Sequence, residues 1–141
     1  MSNFSRVLIC LSLTLTGQAV LTGPLLAAPT KAAIEKSVQR AMDEFGGIDI
    51  VVNNAGVNTL AHRVPIDQFP RQEWDRIVGV DLTGLYLVSK AVAAVMRRQR
   101  SGRIINIASI AGLVPLRLQS PFVAAKAAVV NLTKSMAIEL G

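Results

Sequence analysis

Three residues in the last third of the chain have types and a spacing that could support proton chemistry. Ser109 follows an apolar, β-branched run, and Lys126 lies four residues after the aromatic ring of Phe122. Residues four apart on a helix share one face, so the ring and the ammonium would be neighbours. A lysine beside a tyrosine lowers the pKa of the phenol, which can then pass a proton to a substrate oxygen. A phenylalanine ring has no exchangeable proton. Of these three residues, only the Ser109 hydroxyl and the Lys126 ammonium could therefore donate a proton.

The elements that must position these residues begin near Thr30. Thr30 is a plausible N-cap, apolar residues then recur at helical spacing as far as Phe45, and Gly46-Gly47 supplies a stop. The β-branched run from Ile48 to Val52 predicts a strand buried on both faces. A helix that leads into a buried strand indicates an α/β layered fold. The strand ends in the sequence Asn53-Asn54-Ala55-Gly56, which by itself would be an ordinary turn.

A second helix and strand follow, and then a final helix. The stretch from about Arg71 to Arg100 predicts a long helix that is apolar around much of its circumference, and hence buried in a large core or against a partner. Gly102 to Ala108 predicts a second buried strand. Ser109 then lies at its carboxyl end, where ligands bind in open α/β sheets. The last helix is predicted to have Ser120 as its cap and Pro121 at its first position.

Composition limits the classes of protein that the chain can belong to. With 141 residues, of which 51% are hydrophobic and 17% charged, the chain can form one domain with a substantial core. One cysteine, Cys10, and one histidine, His62, give no cluster that could hold a metal. The net charge is +6, and part of it comes from arginines near one predicted helix end: Arg97, Arg98, Arg100 and Arg103. Cations favour a helix carboxyl end, so we interpret this cluster as a solvated helix terminus rather than a nucleic-acid surface.

The apolar segment formed by residues 1–29 permits three interpretations. Arg6 precedes the run Val7 to Leu15, and small residues follow, as in a secretory signal with a cleavage site. The stretch from Val7 to Leu11 could instead be a buried parallel strand. A membrane span within residues 7–28 is the third interpretation, although glycine and proline interrupt the run. The sequence leaves these alternatives open.

Four motifs, in their order and spacing, resemble the middle of the short-chain dehydrogenase/reductase family. They are Asn53-Asn54-Ala55-Gly56, Val80-Asp81-Leu82-Thr83-Gly84, Ile107-Ala108-Ser109-Ile110-Ala111-Gly112, and Phe122-x-x-x-Lys126. The resemblance covers residues 30–141. It implies an α/β fold with a partial Rossmann-type doubly wound parallel sheet, truncated at both ends of the chain. It also implies NAD or NADP as the cofactor, and hydride transfer between the nicotinamide and an alcohol or carbonyl.

The resemblance implies a role for each site residue. Ser109 matches the serine that polarises the substrate oxygen, and Lys126 matches the lysine that binds the nicotinamide ribose and lowers the pKa of the catalytic tyrosine. Phe122 stands where the family has that tyrosine. Asp81 stands where the family has an asparagine that anchors a water of the proton relay, and its carboxylate could pair with Lys126. The implied cofactor-binding residues are Asn53, Asn54, Ala55, Gly56 and Lys126.

The phosphate-binding loop of the family is matched weakly by this chain. The family has Thr-Gly-x-x-x-Gly-x-Gly, and the stretch from Thr16 to Gly23 agrees at three positions but has Leu21 at the middle glycine. No residue between this stretch and Asn53 can be assigned as a selector for the adenine ribose. The sequence therefore does not distinguish NAD from NADP.

Two classes of function remain open. The first is an oxidoreductase acting on a small alcohol or carbonyl, impaired or inactive because Phe122 cannot supply a proton. The second is a catalytically dead fragment, a pseudoenzyme, that acts only through helix-mediated association with a second copy or an intact relative. The resemblance implies a cytoplasmic protein, whereas the signal-like N-terminus would allow export. We expect no nucleic-acid partner, and membrane contact only through residues 7–28.

Overall fold

Three parallel strands form the sheet of the protein. The computed structural model describes residues 7–10, 29–59 and 62–141. The strands β1 (Val7–Cys10), β2 (Ile50–Asn53) and β3 (Arg103–Asn106) are arranged in the order β1-β2-β3. Because both pairs of strands are parallel, their carboxyl ends meet at one edge of the sheet. The α/β class with a parallel sheet is thus confirmed.

The apolar N-terminal segment contributes β1 to this sheet. Val7–Cys10 pairs with β2 along its whole length, which is the arrangement that the strand interpretation predicts. Leu11 and the stretch from Thr16 to Gly23 lie outside the described residues. The cleavable signal and the phosphate-binding loop therefore stay predictions.

The first helix has the cap and the stop that its sequence predicts. Helix α1 (Lys31–Phe45) begins after Thr30, whose Oγ1 accepts a hydrogen bond from the Ala33 N–H at 3.2 Å. It ends at Gly46, whose φ of 72° lies in the left-handed region that favours glycine.

The long helix is interrupted by a π-helical turn that the sequence did not predict. It consists of α2 (Arg71–Val78), the π-helical turn Gly79–Gly84 and α3 (Leu85–Gln99), which follow one another without a break. A π-helical turn widens the helix by one residue locally, and such turns are frequent at functional sites. The turn contains Asp81, one of the predicted site residues.

The last helix, α4 (Ser120–Leu140), begins one residue earlier than expected. The capping residue is Gln119 rather than Ser120, and Pro121 is the second helical residue. The reason is that the Gln119 carbonyl already accepts the first helical hydrogen bond, from the Val123 N–H at 3.0 Å. Short 3₁₀ turns at Ile66–Gln68 and Ile110–Gly112 lie in the connections before α2 and α4.

The hydrophobic core lies on one face of the sheet. Val51 of β2 is fully buried against α1 and α3, and Ile104 of β3 packs on the edge of this cluster. The buried members of the core cluster are Ile34, Ala41, Ile48, Val51, Val88, Val92 and Met96. The apolar side of the long helix thus packs in the core, as its composition predicts.

The prediction that β3 is buried on both faces was wrong. Side chains alternate along a strand, so Ile104 and Asn106 face the helices whereas Ile105 and Ile107 face away. Ile105 is 46% exposed and Ile107 is 43% exposed. The described helices pack on the opposite face, so only one face of this apolar run is covered.

By length and composition alone, the continuous helix Arg71–Gln99 could cross a membrane. Core helices of compact proteins meet the same criteria. Because Ile77 and Val92 of this helix are fully buried in the protein, we assign its apolar character to the core.

Candidate active site

Asparagine side chains at the carboxyl ends of β2 and β3 link this edge of the sheet to α3 and α4 by hydrogen bonds. Asn53 and Asn106 are in register, and the Asn53 amide donates to Asn106 Oδ1 at 2.8 Å and to Ser89 Oγ at 3.0 Å. The Asn106 amide in turn donates to Thr133 Oγ1 of α4 at 2.9 Å. The two asparagines end their strands at equivalent positions, and this is the one sequence signal of the network. The Asn53 side chain is therefore engaged inside the protein rather than presented at the surface.

Ser109 caps the short turn that follows β3. Its Oγ accepts a hydrogen bond from the Ala111 N–H at 3.2 Å, which leaves its own hydroxyl proton free to be donated. The turn packs directly on α4, since a Cβ at Gly112 would lie 2.7 Å from the carbonyl oxygen of Lys126. This contact requires glycine and brings the turn that begins at Ser109 against the helix turn of Lys126.

Phe122 and Lys126 share one face of α4, as their spacing predicts. The Lys126 ammonium lies 5.7 Å from the centroid of the Phe122 ring, within the range of a cation–π contact. The Lys126 side chain is only 8% exposed, and its Nζ donates to the Ile107 carbonyl at 3.4 Å. Lys126 is therefore a buried lysine with specific partners and not a solvated residue on the helix surface.

Asp81 reaches the same ammonium from the π-helical turn. Its Oδ2 lies 3.2 Å from Lys126 Nζ, so the two side chains form an ion pair. Its Oδ1 accepts a hydrogen bond from the Val57 N–H at 2.7 Å. The Asp81 side chain is completely buried, and no described residue gives its Oδ2 a well-aligned hydrogen bond. The pairing that the sequence suggested is present in the structure.

Burial dominates the electrostatics of Asp81. Removal from water raises the pKa of the Asp81 carboxyl above its ordinary value of 3.8. The Val57 N–H, Lys126 and Arg76 oppose this shift because each stabilises the carboxylate, but they do not cancel it. The charged form of Asp81 thus depends on its few polar partners.

The loop after β2 is anchored at three successive residues. Asp81 holds the Val57 N–H, Arg76 donates to the Asn58 carbonyl at 3.0 Å, and Thr59 Oγ1 lies 3.5 Å from Gln119 Oε1. The contributions of Arg76 and Gln119 could not be predicted from the sequence, because no motif links positions that distant in the chain.

Arg76 is itself held by Glu73, three residues earlier on α2. Its Nε donates to Glu73 Oε2 at 2.7 Å, and the Glu73 side chain is only 10% exposed. The hydrogen bond from Arg76 holds the pKa of the Glu73 carboxyl below its ordinary value of 4.5. His62 Nδ1 approaches the same carboxylate at 3.9 Å. The ion pair with Glu73 thus fixes the Arg76 side chain in position to donate to the loop.

The predicted cofactor-binding residues differ in their accessibility. Asn54 and Gly56 are exposed, Ala55 is half-buried, and Asn53 is buried. Gly56 lies directly over the ion pair, because a Cβ there would be 3.2 Å from Lys126 Nζ and 3.4 Å from Asp81 Oδ2. The Gly56 backbone and the Lys126 ammonium are thus brought together at the carboxyl edge of the sheet.

These residues fit a nicotinamide dinucleotide only in part. The exposed backbone of Asn54 to Gly56 borders the edge of the sheet where ligands of open α/β folds bind. The Lys126 side chain, however, is only 8% exposed, and its ammonium already contacts the Asp81 carboxylate and the Ile107 carbonyl, which leaves one of its three N–H donors for a ribose. The lysine end of the site therefore fits the cofactor less well than the loop end, because a ribose has to compete with Asp81 for the ammonium.

A cavity of about 700 Å³ lies away from these residues. It is formed between the ends of α3 and α4 and the start of β3, and its lining includes Met96, Arg100, Arg103 and Met136. Because Arg103 is the first residue of β3, this cavity is at the amino edge of the sheet, opposite Ser109. It is not part of the candidate site. Among the residues described, no three His, Cys, Asp or Glu side chains come together to hold a metal ion.

The fold and the site define a parallel α/β protein with a serine and a lysine at the carboxyl edge of the sheet. The profile of the family described as short chain dehydrogenase matches residues 14–141. The chain belongs to this family. The structure is similar to a crystal structure of NAD⁺-bound xylitol dehydrogenase, with a TM-score of 0.74 and 32% sequence identity over 79% of this chain and 42% of that one. The Rossmann-type character of the sheet is thereby confirmed.

Two curated relatives are similar to this chain in sequence. The D-beta-hydroxybutyrate dehydrogenase of Cupriavidus necator is 40% identical over 124 residues, which cover 87% of this chain and 47% of that protein. The 3-oxoacyl-[acyl-carrier-protein] reductase of Synechocystis sp. is 39% identical over 109 residues, which cover 76% of this chain and 42% of that protein. The chain spans less than half the length of these relatives.

Proposed function

We propose that this chain carries the nicotinamide end of a short-chain dehydrogenase/reductase site, binds NAD or NADP there weakly because Lys126 is paired with Asp81, and transfers hydride poorly because its proton donor is missing. The observation that carries the proposal is the convergence of the Ser109 turn, Lys126 and Gly56 at one edge of the sheet, with the Phe122 ring beside the lysine. Ser109 can donate a hydrogen bond to a substrate oxygen. Phe122 holds its place by packing but cannot donate a proton.

The substrate class follows from the relatives by analogy. Their names describe a 3-hydroxy acid dehydrogenase and a 3-oxoacyl thioester reductase. Both act on oxygen at the third carbon of an acyl chain. We propose a small alcohol or carbonyl compound of this type as the substrate of this chain.

Cofactor binding is tested by the fluorescence of Trp74, the single tryptophan of the chain. Titration with NADH and with NADPH should give saturable quenching, since each nicotinamide absorbs where tryptophan emits. The absence of quenching at millimolar cofactor would reject the binding part of the proposal.

The missing acid is tested by Phe122→Tyr in the full chain. Supplying a positioned general acid should raise the rate of acetoacetate reduction by roughly 10²- to 10⁴-fold. Phe45→Tyr, on a ring that is 52% exposed at the end of α1, adds the same hydroxyl outside the site and should change nothing. Equal rates for the wild type and Phe122→Tyr would contradict the assignment of Phe122 as the defect.

A second candidate function is association through α4. This helix presents apolar side chains on its exposed side, including Ala127 and Ile138, which is 86% exposed. Such residues could pack against a second copy or against an intact relative. Sedimentation velocity of the wild type and Ile138→Gln should show weaker self-association of the variant, and identical profiles would reject this surface.

A further inference from the structure

The ion pair between Asp81 and Lys126 occupies the ammonium that the site would otherwise present to a ligand. The carboxylate is fully buried, and the ammonium has the Asp81 carboxylate, the Ile107 carbonyl and the Phe122 ring as its neighbours. Gly56 covers the pair from the loop side. Nothing in this arrangement requires a ligand to balance the lysine charge.

The position of Asp81 is fixed independently of Lys126. Val57 N–H holds its Oδ1, and the π-helical turn places its backbone between two helical segments. An uncharged asparagine could accept the same hydrogen bond from Val57, because it has a carbonyl oxygen at this position. The negative charge itself is therefore not needed to anchor the loop, and its specific partner is the lysine.

A carboxylate at this distance changes what the lysine can do. Opposite charges about 3 Å apart in a buried site interact strongly, and the carboxylate offsets part of the potential that the ammonium produces at a third group. A ribose hydroxyl would have to compete with Asp81 for the ammonium. A phenol placed at position 122 would experience a neutral pair rather than a cation.

We propose that Asp81 is a latch: it holds Lys126 in a buried ion pair and keeps the ammonium from a cofactor ribose and from any proton donor at position 122. The part that concerns the cofactor rests on the proposed function. The part that concerns position 122 does not, because it can be measured without cofactor.

The first test compares cofactor affinity in the wild type, Asp81→Asn and Asp75→Asn, measured by quenching of Trp74. Asp75 is exposed on α2, so its variant makes the same change in net charge outside the site. Asp81→Asn should lower the Kd for NADH or NADPH by roughly tenfold, about the effect of one hydrogen bond from a charged donor. Asp75→Asn should leave it unchanged. If the wild type binds the cofactor measurably and Asp81→Asn has the same Kd, Asp81 does not keep Lys126 from the cofactor, and this part of the proposal is wrong.

The second test uses the ionisation of an introduced phenol. Phe122→Tyr and the double variant Phe122→Tyr/Asp81→Asn are titrated by the ultraviolet absorbance of tyrosinate, and subtraction of the parent chain removes Tyr86, its only native tyrosine. The pKa of the new phenol should be lower by about one unit in the double variant, because the cation is no longer neutralised. Equal pKa values would refute the latch, whatever the cofactor titration shows.

The two tests separate failure of the latch from failure of the proposed function. If no variant binds cofactor, the proposed function is wrong, and the phenol titration still decides on the latch. Asp81→Ser, which is also uncharged, replaces Asp81→Asn in both tests if that variant does not fold.

Discussion

At the scale of single residues, the proposed loss of activity rests on two side chains that contact Lys126. The Phe122 ring, 5.7 Å from the ammonium, has no phenolic proton, and the Asp81 carboxylate pairs with that ammonium. The pKa of the Asp81 carboxyl is raised by burial. A carboxyl with a raised pKa binds its proton more tightly in the folded chain than in the unfolded chain, which links it to stability.

We predict that the free energy of unfolding depends on pH through Asp81. Between the ordinary value of 3.8 and the higher pKa in the folded chain, the folded state binds more protons, so this contribution to stability falls as pH rises. Asp81→Asn lacks it. Urea unfolding between pH 4 and neutrality should therefore show the variant gaining stability relative to the wild type as pH increases. A constant difference across this range would contradict the prediction.

At the scale of elements, the π-helical turn and α2 position the loop after β2. The turn carries Asp81 toward Val57, and α2 carries Arg76 toward the Asn58 carbonyl. These contacts come from one continuous helix, so the loop and the site residue on the turn are coupled through it. The Arg76 side chain is 20% exposed, and that of its partner Glu73 is 10% exposed.

We predict that Arg76→Ala destabilises the protein by about 1–3 kcal/mol, because it leaves the buried Glu73 carboxylate and the Asn58 carbonyl without their donor. Arg71→Ala is the matched control on the same helix. Arg71 pairs with Asp75 at 2.8 Å, but its side chain is 84% exposed, and solvent-exposed pairs contribute about 0–1 kcal/mol. Urea unfolding of the two variants measures the difference. Equal losses would mean that Arg76 does not anchor the loop.

At the scale of the whole molecule, the described helices pack on one face of the sheet. Ile104 faces them, while Ile105 and Ile107 are nearly half exposed on the other face. Exposed apolar strand residues favour association with another surface. The two faces of β3 should therefore respond differently to the same substitution.

We predict that Ile105→Thr reduces concentration-dependent association and changes the free energy of unfolding by less than about 1 kcal/mol. Ile104→Thr, one residue earlier, should cost about 1–3 kcal/mol because it places a hydroxyl against the core. Sedimentation velocity and urea unfolding give the two quantities. Unchanged association or a large stability loss in Ile105→Thr would contradict the prediction.

The sequence alone determined the features that depend on local chemistry. The cap at Thr30, the left-handed stop at Gly46 and the shared face of Phe122 and Lys126 follow from side-chain types and fixed helical geometry. The family followed from motifs whose order is written in the chain. These features need no knowledge of which elements become neighbours.

The tertiary structure decided what the chain could not show by itself. It placed the π-helical turn so that Asp81 meets Lys126, it connected Arg76 and Gln119 to the loop after β2, and it left one face of β3 exposed. The physical reason is that burial and long-range contacts depend on how the elements pack. Residues 45 positions apart, such as Asp81 and Lys126, become an ion pair only when the sheet and helices have assembled.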